Sequence, residues 1–360
     1  MKRTAWSLLL AAAFATLACG PVWDTYRGGP GRAGSLHPTF AAAPQRRAWD
    51  LRLGAASFSS PVLAGQKLVL GTADDDLVVV DALAGKILWS YRTGGDVAGG
   101  AALAGNTAIF GSADGCVYAL ELGRQRLRWK FRADNKIVAE PSVTGGRAFV
   151  GTLGGTLYAL NTSNGKPRWS AANLGPLWTS PTTAAGRVYV ASRDGRLRCF
   201  DAKTGRQIWS YDAGAPLTAP PLWASGLVVA ATEKGEIFAV DAARAEKRWS
   251  HAAGAGVSGL ALAGDAVVAA TWEGDVVALG LADGERRWRT PLAAAVEGCP
   301  AASPALIYVG AADGRIYGLA PGDGGVRWQE KMDGGVSSTP AVGPDAVFVA
   351  ADDGSVSCFR

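Results

Sequence analysis

The sequence predicts an all-β chain, folded as a single eight-bladed β-propeller of four-stranded antiparallel blades, and three features carry that prediction. The first is tryptophan spacing. Trp49, Trp89, Trp129, Trp169, Trp209 and Trp249 are 40 residues apart, Trp288 follows after 39 and Trp328 after another 40. A period near 40 with strand-like content marks repetition of one supersecondary unit. The second is that each period holds four short apolar runs separated by Gly- and Asp-rich turns, the content of one propeller blade. The third is that the two ends of the chain hold complementary fragments of a unit. Repeats of this kind need their neighbours to bury their faces, so 360 residues make one closed ring instead of two ordinary domains.

From the N-terminus, residues 1–18 read as an export signal. Lys2 and Arg3 form a basic start, and residues 5–18 are uncharged and largely apolar but short for a membrane span. Ala15-Thr16-Leu17-Ala18-Cys19 resembles a bacterial lipobox, in which Cys19 is lipidated and becomes the new N-terminus; Thr16 stands where Leu is usual. The alternative is an ordinary cleaved signal with an incidental Cys. A single lipid anchor makes a protein peripheral to a membrane. Residues 19–45 then form a tether and lead-in segment, and 46–360 the propeller. Net charge is +5, or 5 − 2 = +3 without Lys2 and Arg3, too small to argue for nucleic acid.

Within the first full unit, residues 60–63, 67–72, 77–81 and 87–91 read as four strands of a meander. Asp-Gly recurs in the turn before the third strand, because tight hairpin turns need positive φ. Asp74-Asp75-Asp76 occupies that turn in the first unit and lacks the ligand spacing of a calcium loop, so an enlarged hairpin turn is expected. Seven units end in their own Trp. The eighth starts at Ser337 and stops at Arg360 without a fourth strand, while residues 48–51 form an orphan fourth strand near the N-terminus. Pairing the orphan into the last blade closes the ring and removes a free edge.

The first strand of each blade should line the central channel, since Pro61, Pro141, Pro181, Pro221, Pro300 and Pro340 recur there and proline is tolerated at an edge. The residues beside them are small, with Glu140 as the main charged exception. The eight grid tryptophans are expected to pack between blades. Trp178, in the loop entering blade 4, and Trp272, in the second hairpin of blade 6, are off the grid and are candidate partner-binding anchors; local packing under neighbouring loops is the alternative. The turns before the third strands hold 12 acidic residues against four bases, a ring of negative potential in which Asp75 and Asp353 are candidate steering charges. Cys116, Cys199, Cys299 and Cys358 form no CxxC pair and suit buried packing roles. No metal-ligand or catalytic set stands out, and His37 and His251 read as lone surface or packing residues.

The repeats, such as LYALNTSNGKPRW and LRCFDAKTGRQIW, resemble the pyrroloquinoline-quinone-type β-propeller repeat family, as does the lead-in Trp23-Asp24-Thr25-Tyr26-Arg27-Gly28-Gly29-Pro30. An exported lipoprotein of this size with eight blades is most similar to the BamB-type outer-membrane assembly lipoproteins. That resemblance implies a non-enzymatic, monomeric scaffold, anchored through Cys19 to the outer membrane, facing the periplasm and binding membrane-associated protein partners. The same repeats build quinone-dependent dehydrogenases, which are larger, bind calcium and quinone and often carry a vicinal Cys pair; this chain has none. No cofactor is expected. The second functional reading is a binding protein for a glycan, peptide or small ligand at the channel mouth.

Overall fold

The computed structural model describes residue 44 and residues 46–360. The signal segment 1–18, Cys19 and nearly all of the tether and lead-in segment lie outside the described residues. The described chain forms 32 strands, β1–β32 in chain order, in eight four-stranded antiparallel sheets. It is an eight-bladed propeller. Blade 1 is β2 (Val62–Ala64), β3 (Lys67–Gly71), β4 (Asp76–Asp81) and β5 (Lys86–Arg92), and blades 2 to 7 repeat this order. The last blade is β30 (Ala341–Val342), β31 (Val347–Ala350) and β32 (Ser355–Phe359), completed by β1 (Arg47–Arg52).

Closure follows the order β1-β32-β31-β30, with Trp49 opposite Cys358 and Leu51 opposite Val356. Beyond the ladder, Arg46 N–H donates to Arg360 O at 2.8 Å and Arg360 N–H to Arg46 O at 2.9 Å. A core cluster crosses this seam, joining Leu68 and Val80 of blade 1, Val349 and Phe359 of blade 8, and Tyr308 of blade 7. The second and third strands of each blade are buried on both faces by the adjoining blades, so LVLG and LVVV are continuous apolar runs. The outer strand alternates, as in the pattern of KILWSYR. Inner strands are two or three residues long in seven blades, shorter than the sequence suggests, whereas that of blade 6, Val257–Ala263, is longer. Each recurrent proline sits immediately before its strand, because the ring removes the N–H that a ladder position would need.

The grid tryptophans lie between blades in a repeated geometry. Trp49, Trp129, Trp169, Trp209 and Trp288 donate their indole N–H to a carbonyl 33 residues later, those of Ala82, Thr162, Ala202, Ala242 and Pro321, at 2.8–3.2 Å. Trp249 reaches Leu281 O at 2.9 Å. The indole lies against the following blade's last turn. In blade 4, Gly205 has φ +77°, and a Cβ there would stand 2.5 Å from the Trp169 ring. Trp89 departs from the pattern. Its buried Nε1 has no hydrogen-bond partner, and the carbonyl 33 residues on, Leu122 O, accepts Lys67 Nζ at 2.9 Å. The blade 2 turn also carries Gln125, at φ +53°, where most turns carry glycine.

The turn at Asp74-Asp75-Asp76 is not enlarged. Thr72 N–H closes on Asp76 O at 2.8 Å, as Ser112 N–H closes on Cys116 O at 3.0 Å in the next blade. Asp75 simply takes the positive-φ position, at 66°, that Gly115 holds at 79°. Aspartate tolerates that region better than most residues.

Candidate partner-binding face and channel mouth

Loops that enter the blades and turns that precede the third strands share one face because they are hydrogen-bonded to each other. Val97 N–H donates to Thr72 O at 3.0 Å on one side of the loop entering blade 2, and Ala113 N–H donates to Asp96 O at 2.8 Å on the other. The same lacing recurs at Arg193 N–H to Pro176 O and at Trp272 N–H to Gly256 O. Trp178 and Trp272 therefore stand on this face, 55% and 42% exposed. The Arg193 guanidinium lies 6.0 Å from the centre of the Trp178 ring. Trp272 rests on Gly256, where a Cβ would come within 2.5 Å of its ring. Each indole is thus propped by a neighbour while presenting area to solvent.

The two tryptophans differ in radius. Trp178 lines a cavity of about 200 Å³ at the channel mouth, to which all eight blades contribute, whereas Trp272 sits outside it on its turn. Phe58 lines the same mouth and is 52% exposed. Sequence reasoning passed over it, although 58 and 178 are separated by three periods of 40 and occupy one repeat position. Glu297, exposed, holds that position in blade 7. Deeper, Glu140 is 3% exposed, and its backbone N–H donates to Ser180 Oγ at 3.1 Å. A Cβ on Gly100, in the neighbouring blade, would stand 3.3 Å from Glu140 Oε2, which places the carboxylate across the inner wall of the channel.

The acidic turns are largely neutralised, so the expected ring of negative potential is weaker than a count of residues suggests. Asp74 and Asp76 pair with Arg92, Asp114 with Lys130, Asp194 with Arg198, Asp275 with Arg289, Asp313 with Arg315 and Asp353 with Arg52. Glu233 and Glu236 pair with Arg193 and Lys247. Many of these cations come from the outer strand, which the register of the third and fourth strands brings opposite the turn, as with Asp76 and Arg92. Asp353 is further held by Ser355 Oγ at 2.6 Å. Burial pushes its carboxyl up, but the Ser355 contacts and Arg52 outweigh that and leave it below the usual range. Asp75 and Asp353 lie on the turns of blades 1 and 8, neighbours across the seam.

Among the described residues no group of three or more His, Cys, Asp or Glu could hold a metal ion. Cys116, Cys199, Cys299 and Cys358 are buried and unbridged. Burial pushes the Cys199 thiol to about 12 and the Cys358 thiol to about 11. His251 is drawn below its ordinary value by burial and by Arg286. The channel does not fit a quinone cofactor. Pyrroloquinoline quinone is a polycarboxylate, whereas this cavity is lined by Glu140 and Glu297 with no Lys, Arg or His. Its volume, about 200 Å³, also falls below the roughly 300–1,000 Å³ of typical small-molecule sites.

A family profile described as "Outer membrane protein assembly factor BamB" matches this chain over residues 39–130, 95–185, 124–256, 174–299 and 273–359. Solved structures with the same fold include BamB from Moraxella catarrhalis, at 20% identity and a TM-score of 0.76, covering 88% of this chain and 99% of that one. The computationally designed Ika8 protein is similar at 19% identity and a TM-score of 0.79, with 88% and 100% covered. Quinohemoprotein alcohol dehydrogenase from Comamonas testosteroni matches at 14% identity and a TM-score of 0.79, with 94% and 80% covered. At these identities the likeness concerns the fold. No curated protein matches the chain.

Proposed function

The chain belongs to the family described as outer membrane protein assembly factor BamB, and from that premise we propose that it is a non-catalytic scaffold, working beside the outer membrane in β-barrel protein assembly. It would sit on the periplasmic side, anchored through lipidated Cys19, and hold membrane-associated protein partners against its loop face. The observation that carries this reading is the pair of large aromatics, Trp178 and Trp272, exposed on one face of a closed ring. Aromatic side chains propped in place bury large area at little entropic cost, as interface anchors do. The channel chemistry supports the non-catalytic part, because its lining holds none of the basic side chains that a polycarboxylate quinone would need. A second reading, a small-ligand receptor at the channel mouth, is favoured by the buried Glu140 carboxylate.

The test is crosslinking of the full chain in native membranes, with partners identified by mass spectrometry and affinity then measured on the purified pair. Trp178→Ala and Trp272→Ala should each weaken association by about 1–2 kcal/mol or more, with the unfolding midpoint unchanged. Cys19→Ser should move the protein to the soluble fraction and abolish acyl labelling. A partner docked on the opposite face, with both tryptophans untouched, would discard the assigned surface. A wild-type chain without lipid on Cys19 would discard the anchor.

A further inference from the structure

The repeat supplies an internal control for every side chain in the channel, since eight blades solve the same packing problem. At the position of Glu140 the other blades carry small or neutral residues, Ser60, Gly100, Ser180 and Thr339 among them. At the position of Glu297 they carry Phe58, Trp178 and neutral residues. The fold therefore requires no carboxylate at either place. Burying one is costly, because an ionised group loses its hydration. Glu140 is nevertheless 3% exposed and faces the cavity. The contrast with the rest of the molecule is one of sign: the chain carries a net charge of +5, yet the mouth holds two carboxylates and no base.

We propose that the channel mouth is a binding site for a small organic cation, an alkylammonium or guanidinium group, held between Glu140 and Glu297 and against the rings of Trp178 and Phe58. Three features match that chemistry. A carboxylate set in a wall of low dielectric interacts more strongly with a cation placed beside it than one in water does, and that cation in turn favours its ionised form. The Trp178 and Phe58 side chains at the rim, 55% and 52% exposed, offer ring surface for cation–π attraction, although the Arg193 guanidinium already lies 6.0 Å from the Trp178 ring. The cavity, about 200 Å³, has room for one basic side chain. The cation can come from a free amine or from a lysine or arginine at the tip of a partner's loop. In the second case the site would deepen the scaffold reading by adding a charged anchor at the centre of its face.

Titration calorimetry of the full-length purified protein tests this with N-acetyl-lysine amide, N-acetyl-arginine amide and n-butylammonium as probes, and N-acetyl-norleucine amide as the neutral control. Cationic probes should bind with a dissociation constant of about 1 mM or tighter, weaken as salt is raised, and exceed the neutral control by about tenfold or more. Glu140→Ser, which installs the residue that blades 1 and 4 carry, should reduce affinity about tenfold while the ring still folds. Glu297→Gln, at an exposed position, gives a second readout independent of folding. Preference for the blocked amino acids over n-butylammonium would assign the source to a partner's side chain, and the reverse to a free amine. Equal binding of the neutral control, unchanged affinity in both variants, or no binding by any cation would overturn the proposal. Crosslinking of the full chain, together with the Trp272→Ala variant, whose side chain lies outside the mouth, would still report on the scaffold, so the two failures are distinguishable.

Discussion

Replacing tryptophan by phenylalanine at two grid positions isolates the contribution of a single indole hydrogen bond to the ring. Trp169 and Trp89 are both half-buried between blades. Trp169 donates to Ala202 O at 3.2 Å, whereas Trp89 Nε1 is buried without an acceptor. Phenylalanine keeps an aromatic ring against the next blade in both cases, so the loss of area and shape is common to the two. At Trp169 the change removes a hydrogen bond worth about 0.5–1.5 kcal/mol net. At Trp89 it removes a buried, unmatched donor, a relief of about 1–3 kcal/mol. Trp169→Phe should therefore be about 1.5–4.5 kcal/mol more destabilising than Trp89→Phe. Urea unfolding followed by circular dichroism measures this as a difference in midpoint at constant slope. Equal losses at the two sites, within about 0.5 kcal/mol, would refute the reasoning and show that the indole N–H is irrelevant to blade packing.

Two further outcomes follow from the seam and the turns. Deleting residues 46–52 removes β1 and exposes the edge of β32, so the protein should aggregate; a monomeric, equally stable deletion variant in size-exclusion and light-scattering measurements would contradict the role given to closure. Desolvation pushes the Asp114 and Asp194 carboxyls up, but both lie below their ordinary value because the combined contacts of Tyr118, Cys116 N–H, Ser112 and Lys130 at Asp114, and of Arg198, Arg196 N–H and Ser192 at Asp194, outweigh it. Their depressed folded values contribute stability above about pH 3.9 that is lost as pH falls through the folded value. Asp114→Asn and Asp194→Asn should flatten the acid limb of the stability–pH curve, and an unchanged limb would remove these residues from the account.

The sequence alone determined the ring: its strand order, its count of eight blades and its closure. Those properties are periodic, and a period of 40 is visible wherever Trp, Gly and Pro must recur to satisfy the same backbone and packing demand, as at Trp169 and Gly205. Trp178 and Trp272 were legible for the complementary reason, because they break the period. The tertiary structure alone decided how charges pair. Asp76 meets Arg92 and Asp353 meets Arg52 through strand register and ring closure, across 16 and 301 residues, so the acidic turns carry less free charge than a count along the chain suggests. It also decided which side chains share the mouth. Phe58, Glu140, Trp178 and Glu297 come from four blades and meet only because the ring closes, which brings residues up to 239 apart in the chain around one cavity. Local sequence fixes turns and strands; a site assembled from side chains of different blades exists only once the ring has closed around it.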